Sequence, residues 1–241
     1  MNGFWEQTRV IGAGDVDVNG EWRLSGMIGA MQEAGEAHCE ENGLGVRAMR
    51  GQNLAWVVTR AHLRVEYAPR MAETVTVRTW PKPPKHAFFP RYYQLLVDGR
   101  PAVSASMLYA QLDLSSRRMA GPWLGGNGEL TCELPPPLPL PGTLPVVDAP
   151  AETVTRVARY SDLDINGHVN NARYVDWFCD CFPMEHHRAW RLCDALIHYD
   201  REILPDEPVA LALRRGDAVS VLKGSYGGQS CFAMSGAWEK R

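Results

Sequence analysis

Between Arg159 and Trp177 the chain reads Arg-Tyr-Ser-Asp-Leu-Asp-Ile-Asn-Gly-His-Val-Asn-Asn-Ala-Arg-Tyr-Val-Asp-Trp, its densest run of chemically capable side chains. Asp164, Asn166 and His168 alternate with Ile165 and Gly167. In extended backbone that spacing sends a carboxylate, a carboxamide and an imidazole to one side. Gly167 lets the main chain approach a bound group closely. Asn170 or Asn171 can cap a helix that starts there. The free N–H groups and dipole of such a helix start are a place to stabilise a developing oxyanion. A single Asp, Asn or His before a helix is ordinarily a cap or a structural residue. An acid, an amide and an imidazole converging on one helix start read as a site for acyl-transfer chemistry.

The elements that must position these groups occur twice. Asp15-Val-Asp-Val-Asn-Gly20 returns as Asp162-Leu-Asp-Ile-Asn-Gly167, 147 positions further on (15 to 162). Each copy leads into a helical pattern. In the first, Leu24, Met27, Ile28, Met31, Ala34 and Gly35 recur at helical spacing; in the second, Tyr174, Val175, Phe178 and Phe182 do, and Pro183 stops the run. Strand patterns follow each helix, over 56–67, 74–80, 92–97 and 103–114 in the first half and 194–203, 209–213, 219–225 and 231–238 in the second, with Asp98-Gly99 as a hairpin signal. A smaller echo pairs Glu66-Tyr-Ala-Pro69 with Glu202-Ile-Leu-Pro205. Between the halves, residues 133–150 are rich in proline, which rules out a helix interior or a central strand and predicts a semi-rigid extended connector. The expected organisation is therefore a first domain over 1–132, a connector over 133–150 and a second domain over 151–241. The fold class is α+β, with each half a long central helix wrapped by an antiparallel sheet.

The string from Asp162 to Trp177 resembles the signature of the acyl–acyl carrier protein thioesterases of plants and bacteria. Their pattern runs Asp-Leu-Asp-x-Asn-x-His-Val-Asn-Asn, with a Tyr and a Trp at matching spacings. Tyr199-Asp-Arg-Glu-Ile203 is similar to that family's Tyr-Arg-Arg-Glu-Cys element, and the resemblance extends over most of the chain. It implies a tandem, or double, hotdog fold and hydrolysis of fatty acyl thioesters presented by acyl carrier protein, with no cofactor. It implies Asp164, Asn166, His168 and Glu202 as the catalytic set. It also implies that the first half houses the acyl chain, with Met27, Ile28, Met31, Trp56 and Val58 as candidate lining residues. Plant members carry a cysteine after the glutamate where this chain has Ile203, so a Cys–His mechanism at that position is excluded. An acyl-coenzyme A hydrolase, sharing the simpler Asp-x-Asp-x-x-Gly-His-Val-Asn-Asn pattern, is the nearest alternative. A non-hydrolytic acyl-binding or dehydratase-like hotdog protein is the more distant one.

The chemistry follows from the thioester. A thiol is a good leaving group, with a pKa near ~8.5, so the demanding step is delivering a nucleophile while stabilising the carbonyl oxygen. Asp164, positioned by Glu202, is expected to activate water or to attack directly, with Asn166 and His168 orienting and polarising the carbonyl. The first copy has Glu21 where the second has His168, and Arg23-Leu24 where the second has Asn170-Asn171. It keeps the frame, loses the imidazole, and is not expected to be a second catalytic centre.

Bulk properties set the remaining bounds. The 241 residues carry a net charge of −3 with 22% charged and 45% apolar side chains, ordinary for a globular protein and without the basic excess of a nucleic-acid binder. Lys82, Lys85 and Arg91, and separately Arg117 and Arg118, form local basic runs that read as solvated surface, or more sharply as a docking face for an acidic carrier protein. No membrane span and no secretory signal are legible, and six cysteines without a framework pattern read as reduced thiols. The expected setting is cytoplasmic, as a monomer or homodimer. Cys179, Cys181, His186, His187 and Cys193 lack zinc-site spacing, and no metal is expected. No Gly-x-Ser-x-Gly elbow occurs, and neither Gly12-Ala-Gly14 nor Gly125-Gly-Asn-Gly128 matches a nucleotide-binding fingerprint.

Overall fold

A computed structural model describes residues 3–120 and 132–241; the Gly125–Gly128 run lies outside them. The chain divides into two compact units, Met1–Pro141 and Gly142–Arg241.

The first unit opens with strand β1 (Trp5–Val10), followed by helix α1 (Leu24–Glu41), the short helix α2 (Val46–Gly51), and strands β2 (Leu54–Val65), β3 (Thr74–Pro81), β4 (Phe89–Val97), β5 (Arg100–Asp113) and β6 (Arg118–Met119). The sheet order is β1-β3-β4-β5-β2, all antiparallel, with β6 paired to β5. Asp98 and Gly99 both adopt positive φ, 50° and 74°, the conformation that a two-residue hairpin between β4 and β5 requires. The apolar stripe of α1 is buried through Met27, Ile28, Ala30, Met31 and Ala34.

The second unit contains β7 (Ala151–Val157), a single 3-10 turn (Tyr160–Asp162), α3 (Arg173–Asp180), α4 (Met184–Ala189), β8 (Trp190–Tyr199), β9 (Pro208–Arg215), β10 (Val219–Tyr226) and β11 (Gln229–Lys240). Its order is β8-β11-β10-β9-β7, again antiparallel throughout. Here the helix is short, 8 residues against 18 in α1. The Cys181–Phe182 turn ends it, and Pro183 caps α4. Size compensates for length. Tyr174, Trp177 and Phe178 pack on Phe232 and Trp238 with ring centroids 4.5, 6.2 and 5.9 Å apart. Gly236 makes this possible, because a Cβ there would lie 2.6 Å from the Phe178 ring.

The sequence pattern did not show β1 and β7, which precede the two Asp-rich loops, and it carried the strand from 194 on to 203, whereas β8 ends at Tyr199. The proline-rich stretch is extended, but it is not a free spacer. Leu134 and Leu140 pack with Phe4 against Trp80, Tyr92 and Cys132 on one face of the first sheet. Ser106 Oγ donates to the Pro139 carbonyl at 2.7 Å and Lys82 Nζ to that of Cys132 at 2.6 Å. Further along, Gly142 accepts from His198 Nε2 at 2.8 Å and Ala149 accepts from Arg214.

Arg91 is not surface. It is 7% exposed, under the C-terminal end of α1, and its Nη1 donates to His38 Nδ1 at 3.1 Å. A guanidinium cannot accept a hydrogen bond, so His38 is the acceptor and its ring is neutral. Burial, and then the Arg91 charge, lower the His38 pKa from 6.5 to about 4. Between those two values the unfolded chain binds a proton that the folded protein refuses, so stability falls as pH drops from about 6.5 towards 4. Replacing His38 by Asn should flatten that part of the stability profile, measured as denaturant midpoint against pH. An unchanged slope would contradict this account of the buried imidazole.

Candidate active site

The loop before α3 is a tight hairpin. Leu163 bridges Val169, Asp164 N–H donates to the His168 carbonyl at 3.0 Å, and Gly167 N–H donates back to the Asp164 carbonyl at 3.0 Å. Gly167 takes φ +80°, which glycine adopts without strain. The segment is therefore not extended as the alternation suggested. The Asp164 side chain accepts the Asn166 N–H at 2.8 Å and turns the chain on itself. Asp164 and His168 become partners across a ladder rather than neighbours along a strand.

That hairpin brings His168 Nδ1 to 3.5 Å from Asp164 Oδ2, while Nε2 lies 3.9 Å from Glu202 Oε2. Nδ1 is buried and makes no formed hydrogen bond. An imidazole thus sits between two carboxylates at distances slightly beyond a closed hydrogen bond, as unliganded acid–base sites often do. Val169 N–H donates to the Ile203 carbonyl at 2.9 Å, which holds the segment after β8 against the loop and Glu202 beside His168. Glu202 faces the imidazole. Asn166 lies at the exposed apex of the turn and contributes its backbone N–H to Asp164.

Ala172, not Asn170 or Asn171, stands at the N-cap of α3, and no side chain caps it; Asn170 shapes the turn before it. Its Oδ1 accepts the Ala172 N–H at 2.9 Å and its carbonyl accepts that of Arg173 at 2.8 Å. Tyr199 Oη donates to the Asn171 carbonyl at 3.2 Å, which anchors the helix start on β8. Burial raises the Tyr174 hydroxyl pKa, so this ring stays a neutral wall beside the site. Cys193 is half-buried with its Sγ on the Ala237 carbonyl at 3.4 Å, and burial pushes its pKa up, the opposite of an activated thiol.

Asp162 holds this apparatus in place, and residue-type reasoning missed it. It is 4% exposed. Its Oδ2 accepts the Arg159 N–H at 2.8 Å, and its Oδ1 accepts Trp177 Nε1 at 3.1 Å. Arg156 Nη2 lies 3.6 Å from Oδ1, and the guanidinium stacks 4.9 Å from the Trp177 ring centroid. The first unit repeats the Arg–Asp pair and the turn at the same offset of 147, with its tryptophan, Trp22, at another position. Asp15 accepts the Gly12 N–H at 2.8 Å and pairs with Arg9 at 3.1 Å, and Arg9 stacks over Trp22 at 5.0 Å. Val16 bridges Trp22, Asp17 N–H donates to the Glu21 carbonyl, and Gly20 takes φ +75°. Thr8-Arg9-Val10 and Thr155-Arg156-Val157, also 147 apart, were the overlooked signal. At the position of His168, Glu21 is buried and lies 3.7 Å from Arg70.

The five candidate lining residues fall in the first unit. Met27, Ile28 and Met31 are fully buried on α1 and Val58 is buried on β2. Trp56 is half-buried, donates Nε1 to the Leu44 carbonyl at 3.0 Å and meets Phe89 edge-on at 4.8 Å. Among the described residues no group of three or more His, Cys, Asp or Glu is placed to hold a metal ion, and no helix is long and apolar enough to cross a membrane. All six cysteines are free.

An α+β architecture built twice, with an acid–imidazole–acid line at the start of α3, is a tandem hotdog fold. Comparison with known proteins makes this specific. The model for the acyl-ACP thioesterase N-terminal domain matches residues 4–121 and that for the C-terminal domain matches residues 149–229, so the chain belongs to the acyl-ACP thioesterase family. An oleoyl-acyl carrier protein thioesterase of Arabidopsis thaliana is 24% identical over 96% of this chain and 67% of its own length. A dodecanoyl-[acyl-carrier-protein] hydrolase of Cinnamomum camphora is 28% identical over 66% and 44%. The chain spans only about 40% to 67% of the length of the first curated relatives it matches. In fold it superposes on an acyl-ACP thioesterase of Bacteroides thetaiotaomicron with TM-score 0.90 at 24% identity, covering 98% of each chain. It superposes on a 12:0-ACP thioesterase of Umbellularia californica with TM-score 0.85 at 21% identity, covering 100% of this chain and 99% of the other.

The duplicated loop supplies its own control. Asp162→Ala and Asp15→Ala should each cost about 1–3 kcal/mol in denaturant unfolding, since each strands hydrogen-bond donors of a buried or half-buried loop. Only Asp162→Ala should also depress thioester turnover. Equal activity of the two variants would show that the second loop has no special role.

Proposed function

We propose that this protein hydrolyses fatty acyl thioesters presented by acyl carrier protein, releasing the free fatty acid and the carrier's thiol and so terminating fatty acid synthesis. The observation that supports it most directly is His168 held between Asp164 and Glu202 on a rigid hairpin at the start of α3. Asp164 takes a proton from water as the water oxygen attacks the thioester carbonyl carbon. Its orientation is fixed by the Asn166 N–H on Oδ1. The carbonyl oxygen, negative as the tetrahedral species forms, turns towards the helix start, where the Asn171 N–H has no acceptor among the described residues. Collapse breaks the C–S bond, and the departing thiolate takes up the proton held by Asp164. A neutral imidazole donates from one ring nitrogen at a time. His168 can therefore support one carboxylate while the other works, with Glu202 as its second partner. Asn166 orients the incoming carbonyl from the turn apex.

The acyl chain is assigned to the first unit, along Met27, Ile28, Met31, Trp56 and Val58. This is supported by the apolar, unbranched methionines of α1, which adapt to a flexible chain, and by the loss of the imidazole from the first copy. The cytoplasmic setting is supported by the six free thiols.

A panel of acyl carrier protein thioesters of graded chain length, with the same acyl groups on coenzyme A, is the direct test. Hydrolysis should favour the carrier-protein substrate, and a preference for coenzyme A would reassign the carrier. Asp164→Ala, His168→Ala and Glu202→Gln should each lower kcat by roughly 10²–10⁴ in folded protein. Near-normal turnover in Asp164→Ala would remove that residue from the mechanism. Met27→Trp or Met31→Trp should shift the preference of the panel to shorter chains, and an unchanged profile in a folded variant would place the acyl chain elsewhere.

A further inference from the structure

Glu202 lies in the loop after β8, and a buried acid outside the catalytic set closes that loop. Glu207 is 9% exposed. Its Oε2 accepts from Arg201 Nη1 at 3.0 Å and from the Leu204 N–H at 3.0 Å, and its Oε1 accepts from Arg201 Nη2 at 2.5 Å. One carboxylate therefore ties the residue before Glu202 to the residue two positions after it. Between them the Ile203 carbonyl accepts the Val169 N–H at 2.9 Å, which joins the loop to the hairpin carrying His168. Arg201 is anchored in turn on the sheet. Its guanidinium stacks 5.3 Å from the Tyr226 ring centroid, and its backbone N–H and that of Asp200 both donate to the Cys231 carbonyl at 2.9 Å. The hydrogen bonds from Arg201 hold the Glu207 carboxyl below its ordinary pKa, so the pair stays charged at neutral pH.

The first unit builds the same loop without the acid it would position. There Glu73 accepts from Tyr67 Oη at 2.7 Å and from the Arg70 N–H at 2.7 Å. The Glu66 and Tyr67 N–H groups both donate to the Ala102 carbonyl at 3.0 Å, and the Pro69 carbonyl accepts the Trp22 N–H at 2.7 Å. Tyr67, Arg70 and Glu73 stand 134 positions before Arg201, Leu204 and Glu207 (67 to 201, 70 to 204, 73 to 207). In that register the counterpart of Glu202 is Ala68, 4% exposed, and the Glu66 and Glu202 echo in the sequence is two residues out of step. The closed loop is thus common to both units. In the second, a guanidinium replaces the phenol and a carboxylate replaces the methyl group. A phenol gives the closing acid one hydrogen bond, whereas the planar guanidinium gives two in a fixed geometry.

We propose that Arg201 and Glu207 are positioning residues: their two-pronged pair holds Glu202 at His168, and its loss reaches the reaction through Glu202. The proposal rests on the hydrolytic reading, in which Glu202 and His168 act at the thioester. Glu202 Oε2 lies 3.9 Å from His168 Nε2, just beyond a closed hydrogen bond. At that distance a small shift of the loop decides whether the two groups engage, and a misplacement of about 1 Å can cost about a hundredfold in rate. The backbone on both sides of Glu202 is bound to a single carboxylate, so Glu207 is the group that sets this distance.

Two measurements on the full chain test it, one of them without turnover. Glu207→Ala should lower kcat about ten- to a hundredfold with KM little changed. Glu207→Gln, which keeps an oxygen for the Leu204 N–H, should lose less and serves where the alanine variant does not fold. Glu73→Ala, the same truncation in the first unit, should leave kcat at the wild-type value. In a Glu202→Gln background, Glu207→Ala should cost less than about twofold more, because two residues acting on one step are not additive. The NMR signals of the His168 ring provide the second measurement. Glu207→Ala should move them in the direction that Glu202→Gln does, and the double variant should move them no further. Multiplied rate losses in the double variant, or His168 signals that both Glu207 variants leave unchanged, overturn the proposal. A wild-type protein that hydrolyses no thioester refutes the hydrolytic reading, while the shared shift of the His168 signals still reports that Glu207 positions Glu202.

Discussion

The Asp162 carboxylate is the constraint on which the second unit's chemistry depends. One oxygen takes the Arg159 N–H and the other the Trp177 indole, with Arg156 alongside. The same group therefore ties the end of β7, the turn after it and the buried face of α3. With both ends of the hairpin fixed, the path from Leu163 to Val169 has little freedom, and the Gly167 turn sets Asp164 across from His168. Catalytic groups held on such a frame need no reorganisation when charge develops, which is where most of an enzyme's electrostatic advantage arises. The Asp164–His168 hairpin is held by a buried carboxylate whose own bonds are to Arg159, Trp177 and Arg156.

The two halves show that this frame is separable from its chemistry. Arg9, Asp15 and Gly20 rebuild the ion pair and turn of Arg156, Asp162 and Gly167, while Trp22, which stands at a different offset from Trp177, stacks on Arg9 with its indole N–H unbonded. Yet the position of the imidazole holds Glu21, 3.7 Å from Arg70, so the first loop has no histidine beside Asp17. The interiors diverge as well. Stacked aromatics fill the second unit, whereas the first places Arg91, His38 and two tyrosine hydroxyls beneath its helix.

Much of this was legible in the residues. The Asp-x-Asp-x-Asn-Gly repeat located both loops, and the Asp98-Gly99 hairpin and most strand cores followed from alternation. Asp164, His168 and Glu202, the last from resemblance only, do meet. Other features were hidden for physical reasons. Alternation predicted extended backbone over 164–168, but a carboxylate accepting the N–H two residues on folds the chain into a turn, a competition that periodicity cannot register. β7 is mostly exposed, so its threonines and valines have no apolar face to announce it. Asp162 and Arg156 looked like ordinary loop and strand charges until burial and the Trp177 indole gave them partners. Arg91 sat in a basic run with Lys82 and Lys85, and sequence offers no means to tell a solvated arginine from one pointing under a helix.

The central claim is that one hairpin is catalytic and its near-copy is not. Single-turnover hydrolysis of one acyl carrier protein thioester by Asp164→Asn and by Asp17→Asn, side by side, tests it most directly. Both substitutions keep a side-chain oxygen to accept the loop N–H, so neither should disturb the frame. The account predicts a rate at least about a hundredfold lower for the first variant and a wild-type rate for the second. Similar rates for the two, whether both fast or both slow, would contradict it.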